Sequence, residues 1–517
     1  MKPEGLRGSI EFSLWRAARP RPGAAVTLAA VALLGGCAVG PDFHRPVPPT
    51  VSSYTREPLP PQTAEAEVAG GQAQRFRPDQ DVVEQWWTLF QSPALNAVVD
   101  KALQANPTIV SAQAALRQAR ALVDAQRGFF YPTVQGSFTG NRQRTSGTIS
   151  PVLNSPAVEF NLYTAQVTVG YSFDVWGGNR RQVESLQAQA EAQHFLLQAT
   201  YVTLTANVVA AAVQEAALRA QLAAIQDIIA ISTRALALLR KQFELGYVAG
   251  LDVAAQEAAL AQVQQQLPPL QKQLEQNRDL LAALAGRFPS DDLDERFELA
   301  ALRLPPELPV SLPARLVEQR PDVRVAEATL HAAGAQIGVA VANRLPQFTI
   351  NATYGGTATD FAQMFAKQNP FWMAGGTVLQ TLFDGNTLWH RQRAAAAAFE
   401  QAAAQYRSTV LAAVQNVADT LYALQADAES LTAAVAAERA AKRTLDITLK
   451  QQQLGAANYL ALLSAQQAYQ QTVITRVQAQ ANRFADTGAL FLALGGGWRN
   501  PPDAAATQLT DQPPERH

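Results

Sequence analysis

The side chains able to do chemistry are few. One cysteine, Cys37, serves 517 residues, and the five histidines, His44, His194, His331, His390 and His517, show no metal-ligand spacing. A single thiol makes no internal disulfide, and with no second cysteine it builds no thiolate metal site. The signatures of phosphate loops, zinc proteases, serine hydrolases and dinucleotide folds (GxxxxGK[ST], HExxH, GxSxG, and GxGxxG between a strand and a helix) are missing. No nucleophile, base and orienting group stand in a recognisable order, so the chain does not read as an enzyme. The pair Trp86 and Trp87 reads as a packing anchor for the N-terminal segment in preference to a sugar platform.

Cys37 does have a chemical setting. Upstream stand Arg16, Arg19 and Arg21, then an apolar run from Ala24 to Leu34, then Gly35 and Gly36. This is the layout of a secretory signal, and the run is shorter than the roughly 18 to 20 residues that cross a bilayer. "LGGC" resembles the bacterial lipobox, in which the cysteine becomes lipidated and N-terminal after cleavage. Ala38 follows where an aspartate would favour retention in the inner membrane, which points to the outer membrane. The expectation is a lipoprotein signal peptide over 1–36, a covalent lipid on Cys37, and no other cofactor and no metal. Without residues 1–36 the chain holds 37 basic and 41 acidic residues, a net charge of −4. Nothing in that balance attracts nucleic acid.

The elements that carry these residues are unusual. The hydrophobic fraction is 48% and the charged fraction only 16%, with alanine and glutamine in surplus, a bias suited to helices packed side by side. The chain also repeats: "NPTIVSAQAALRQAR" from Asn106 answers "RPDVRVAEATLHAAG" from Arg320, with Pro107 and Pro132 each 214 residues before Pro321 and Pro346. Each half reads helix, strand pair, very long helix, turn, helix. From Gly178 to Glu244 no proline occurs and no glycine after the first, and from Asn386 to Gln453 there is neither. At about 1.5 Å per residue each helix would reach about 100 Å. The expected return helices are Pro93 to Phe130, Leu251 to Arg287, Pro313 to Asn343 and Leu460 to Leu494.

The strands show period-two alternation. Ala165, Val167, Val169, Tyr171, Phe173 and Val175 alternate with Gln166, Thr168, Gly170, Ser172 and Asp174, and Phe348, Ile350, Ala352 and Tyr354 alternate with Thr349, Asn351 and Thr353. "PTVQGSFTG" is a shorter version and "FWMAGGTVLQTLFD" a less regular one, making four long strands, two per half. In a secreted, lipidated chain such strands fit a membrane barrel, lipid outside and water inside. Four strands close no barrel and an open edge is not tolerated in lipid. Two copies would leave almost no lumen, whereas three would give twelve strands around a usable one.

The lipobox, "EQWWTLFQSPALNAVVDKALQANPTI" from Glu84, the duplicated plan, and the paired turns "LGYVAGLDV" and "LGAANYLALLSAQQ" together resemble the TolC-like outer membrane efflux protein family, in its lipoprotein branch serving resistance-nodulation-division systems. The resemblance spans Cys37 to about Gly497. It implies a membrane α+β fold: a homotrimer whose 12-stranded transmembrane β-barrel, four strands per chain, continues into a long periplasmic α-helical barrel. The segments would be the signal peptide 1–36, a lipidated extended segment 37–92, a first repeat 93–305, a second repeat 306–497 and a flexible tail 498–517. Implied partners are two further copies, outer-membrane lipid, a periplasmic adaptor and an inner-membrane pump, with no nucleic acid. Carried over residue by residue, the docking tip falls on Gly246, Gly250 and Leu251 in the first turn and Gly455, Tyr459 and Leu460 in the second. Some relatives line their aperture with aspartates in the second turn, where this chain has Ala461 and Ser464. Asp252 in the first turn is the candidate gate, or a helix cap. The function implied is a passive outer-membrane duct for small toxic compounds or drugs. The alternatives are the duct of a type I protein secretion system and a structural periplasm-spanning lipoprotein.

Overall fold

The computed structural model describes residues 38–78, 80–146, 157–454 and 456–498. The expected signal peptide over 1–36, Cys37, Gly455 and residues 499–517 lie outside the described residues. In chain order the elements are β1 (Arg75–Pro78), α1 (Pro93–Ala105), α2 (Pro107–Arg127), β2 (Thr133–Arg144), β3 (Glu159–Phe173), α3 (Gly178–Glu244), α4 (Gly250–Leu284), β4 (Glu307–Val310), α5 (Pro313–Gln319), α6 (Pro321–Ala342), β5 (Gln347–Ala358), β6 (Pro370–Leu379), α7 (Thr387–Gln453) and α8 (Tyr459–Ala493). They fall into two compact units.

The first unit takes residues 126–183 and 335–394 with the described stretch 38–41. Its centre is a four-stranded sheet in the order β2-β3-β5-β6, antiparallel throughout. The alternation read from the sequence sets the register: Val134 lies opposite Val169, Val167 opposite Tyr354, and Tyr354 opposite Trp372. Opposed residues point to the same face, so the apolar rows of all four strands fall together.

The second unit takes residues 42–125, 184–334 and those from 395 onward, and is helical except for the short parallel pair β1-β4. Its core gathers Trp86, Phe90, Phe484 and Phe491 with Val208, Val417 and Leu421, all buried. Trp86 stacks on Phe491 at 5.1 Å, which is the anchor expected of it. Two helices, Gly178–Glu244 and Pro321–Ala342, are apolar and long enough to cross a bilayer. In the first, Leu204, Val208, Val209, Ala212 and Val213 are buried in this core, whereas most of the helix's most apolar stretch is not buried within the chain.

The return helices differ from expectation at two matching places. Pro93–Phe130 is broken at Asn106 and Pro313–Asn343 at Arg320, each immediately before a proline. Proline disfavours helical backbone in the preceding residue, and both residues are extended, ψ 123° and 121°. Their side chains use the break. Asn106 Nδ2 donates to the carbonyl of Leu284 at 2.8 Å and Arg320 Nη1 to that of Ala493 at 2.9 Å, the last residues of α4 and α8. Helix C-termini leave carbonyls without intrahelical partners, and both breaks supply one.

Below this level the packing is tied by charge. Glu215, fully buried, receives Arg219 at 2.7 Å and Arg278 at 3.0 Å, while Arg278 also bonds Asp292 and the carbonyl of Leu293. Trp498, expected to begin a flexible tail, is instead held. Its indole donates to the carbonyl of Gln319 and its ring meets Phe195 edge-on at 5.7 Å, partners more than 170 residues away that no local reading reveals.

Candidate functional site

The sheet is built as two chemically opposite surfaces. One carries Val134, Phe138, Ala165, Val167, Val169, Tyr171, Ile350, Ala352, Tyr354, Trp372, Ala374 and Val378. Many of these large side chains are exposed, Val134, Tyr354 and Trp372 by about two thirds or more. An apolar surface of this extent on a soluble protein would be a liability. The other face of β2, β3 and β5 carries Thr133, Gln135, Ser137, Thr139, Asn141, Thr164, Gln166, Thr168, Asn351, Thr353 and Thr357, without a charge. Threonine hydroxyls pair across it, Thr164 with Thr357 at 3.0 Å and Thr168 with Thr353 at 3.2 Å. β3 and β6 depart from the pattern, β3 placing Phe160 and Leu162 and β6 placing Phe371, Met373 and Leu379 on this side. Strands β2 and β6 are the sheet's edges.

The second group of expected site residues surrounds the turn between α3 and α4. Here α3 ends in a Schellman turn: Gly246 N–H donates to the Phe243 carbonyl and Tyr247 N–H to that of Gln242, both at 2.9 Å. Gly246 has φ +79°, a conformation that side chains resist. Gly250 opens α4, and a side chain there would touch the Phe243 ring. The Asp252 carboxylate accepts the Ala249 N–H at 3.3 Å, reaching back from the first turn to the residue that precedes the helix. Leu251 and Leu460 are 71% and 50% exposed.

Tyr459 is placed differently, 7% exposed, among Leu239, Leu445, Leu462, Val248 and Val253. Its hydroxyl donates to Gln256 Oε1, and Gln256 Nε2 donates to the carbonyl of Ser232 at 2.9 Å. One chain of hydrogen bonds thus joins α8, α4 and α3. Burial first, and the charge of Asp252 second, push the Tyr459 phenol up to about 12, which keeps it a neutral donor. Tyr459 therefore holds the turn region from inside, while Gly250, Leu251 and Leu460 face outward. Sequence reasoning missed Gln256, because one buried glutamine in a glutamine-rich helix carries no distinguishing neighbour in the chain.

Among the described residues no three His, Cys, Asp or Glu side chains gather as metal ligands would. His331 instead bonds Glu184 at 2.9 Å and stacks on Phe43. One acidic pair is notable: Asp427 interacts with Asp486 and with the fully buried Arg483. Burial, then Asp486, raise its carboxyl to about 7, and burial lowers Arg483 to about 10. Arg483 Nη2 donates to Thr63 Oγ1 at 3.0 Å, fastening the N-terminal segment.

The profile described as outer membrane efflux protein matches residues 98–287 and 312–496. Over 454 residues the chain is 29% identical to the pyoverdine export outer membrane protein OpmQ of Pseudomonas putida, covering 86% of this chain and 94% of that one. It is 25% identical over 484 residues to the toluene efflux pump outer membrane protein TtgC of Pseudomonas putida, covering 93% and 97%. The solved outer-membrane channel OprN superposes with a TM-score of 0.79 at 26% identity, covering 90% of this chain and all of that one.

Proposed function

We propose that this chain, which belongs to the outer membrane efflux protein family, closes one twelve-stranded barrel with two further copies of itself. The protein is an outer-membrane efflux component with its helical part in the periplasm, and the family is one of ducts, not of catalysts. The observation that carries the trimer is the four-stranded sheet with two open edges and faces of opposite polarity. Lipid tolerates no unpaired edge, so β2 of one copy pairs with β6 of the next. Twelve strands then put valine, tyrosine and tryptophan toward lipid and threonine, serine and glutamine toward water. That uncharged lining favours passive conduction without strong charge selection, the driving energy being supplied elsewhere.

Cys37 carries the lipid that tethers the N-terminal segment to the outer membrane. The turns around Gly246, Gly250, Leu251, Gly455 and Leu460 dock a periplasmic adaptor, through which a resistance-nodulation-division pump delivers cargo. Tyr459 supports that surface from within, and Asp252 contributes one of three carboxylates around the tip. The cargo class is small toxic compounds, in keeping with the toluene efflux for which one relative is named, while another is named for pyoverdine export.

The test is the mass and conductance of the purified protein. Native mass spectrometry is expected to return three chains per particle, and planar bilayers are expected to show discrete steps of current. A monomer without conductance would overturn the proposal, and a conducting particle of another stoichiometry would overturn the twelve-stranded count.

A further inference from the structure

The connection between β5 and β6, residues 359–369, lies on the apolar face of the sheet. Phe361 meets Phe138 edge-on at 5.8 Å and Tyr163 at 6.0 Å. Both belong to that face by register, Phe138 opposite Ala165 and Tyr163 opposite Gly140. The seat is shaped for the loop. Gly356 shares the row of Ala165, and a Cβ there would collide with the Met364 carbonyl; Met364 itself is 2% exposed. Thr357 N–H donates to the Asn369 carbonyl at 3.2 Å, Asn369 Nδ2 to the Gln363 carbonyl at 2.7 Å, and Ala362 N–H to Asp360 Oδ1 at 2.9 Å. So the loop is closed on itself and packed on the face at two places, Phe361 and Met364.

What it shows outward is mixed. Phe365 is 77% exposed, Phe361 is exposed, and Lys367 stands two residues beyond Phe365. On the same face of β2, just past the apolar positions, come Arg142 and Arg144, with Glu159 opposite at 3.6 and 3.8 Å. Three cations against Glu159 and the loop-capping Asp360 leave a net positive edge above an apolar band. Aromatic rings next to basic side chains at the end of a membrane-spanning surface suit the boundary between acyl chains and anionic headgroups.

We propose that this loop is a membrane foot: Phe365 enters the headgroup boundary of the facing leaflet, and Lys367, Arg142 and Arg144 meet its anionic phosphates. The loop grips lipid and does not cover the lumen. This rests on the reading that the apolar face meets lipid, and the experiment separates the two.

Phe365→Cys and Val167→Cys, each labelled with an environment-sensitive dye, are reconstituted as full-length protein in vesicles of phosphatidylglycerol and phosphatidylcholine. Nitroxide lipids quench at shallow or deep positions, and the parent protein gives the labelling blank. The Val167 probe is expected to respond most to deep nitroxide, and the Phe365 probe to shallow nitroxide, by about twofold over deep. A Val167 probe that is quenched beside a Phe365 probe reached only by aqueous iodide overturns the foot while the lipid-facing reading stands. If neither probe sees lipid, the lipid-facing reading falls and the foot with it. Gly356→Leu is expected to abolish quenching at position 365 and leave that at 167; retained quenching at both refutes the seat. Lys367→Glu is expected to weaken the Phe365 signal in anionic vesicles only, and an equal loss in pure phosphatidylcholine refutes the charge contact.

Discussion

The face assignment makes its sharpest prediction at neighbouring residues of β3. Val167 lies near the middle of the strand, flanked on its face by Gly136 and Tyr354, whereas Gln166 points the other way, between Ser137 and Gly355. At about 3.4 Å per residue and a tilt of about 40°, a twelve-residue strand covers about 30 Å, enough for an apolar band of about 25 Å, with Val167 close to its midplane. Arginine on the lipid face at that depth costs about 2–4 kcal/mol. In the proposed barrel three copies bring the cost to about 6–12 kcal/mol for Val167→Arg, while Gln166→Arg, on the face proposed to meet water, costs about 0.5 kcal/mol or less per chain. The assay is denaturant unfolding of the reconstituted protein, with the abundance of each variant in outer-membrane fractions as its cellular counterpart. Val167→Arg should be strongly depleted and Gln166→Arg should assemble, with altered conductance. Equal loss of both, or loss of Gln166→Arg alone, would refute the assignment of faces.

Three further perturbations address the helical unit. Arg278→Ala removes one of two cations from the buried Glu215 carboxylate and is expected to cost about 3–5 kcal/mol, measured by thermal unfolding; a loss under about 1 kcal/mol would show that Arg219 alone satisfies Glu215. Asp427, with its carboxyl raised to about 7, holds its proton in the folded state after the unfolded chain has lost it near pH 4. Its contribution to stability is therefore complete below about pH 4 and is lost as pH rises through 7; Asp427→Asn should flatten the stability profile across that window, and an unchanged profile sinks the assignment. Tyr459→Phe leaves the buried Gln256 Oε1 without its donor, at about 1–3 kcal/mol, and should speed amide exchange around Ser232 and Gln256 while the core around Trp86 exchanges as before.

By itself the sequence determined whatever depends on near neighbours in the chain. Period-two alternation places Val167 and Gln166 on opposite faces whatever the strand pairs with, and 67 residues without a proline sustain the helix Gly178–Glu244. Proline divides the return helices at Asn106 and Arg320 but leaves Gly250–Leu284 continuous through Pro268 and Pro269, so the local rule alone did not decide the breaks. The family was legible in the order of the local patterns. Other features were decided only by the tertiary structure. Tyr459 turns inward because Gln256 and Leu239 stand there, and Trp498 is held by Gln319 and Phe195. The β5–β6 loop chooses the apolar face because Phe138 and Tyr163 offer a ring contact above Gly356. Each of these rests on groups hundreds of residues apart, or on a missing side chain that matters only once another backbone reaches it, and a linear pattern contains neither.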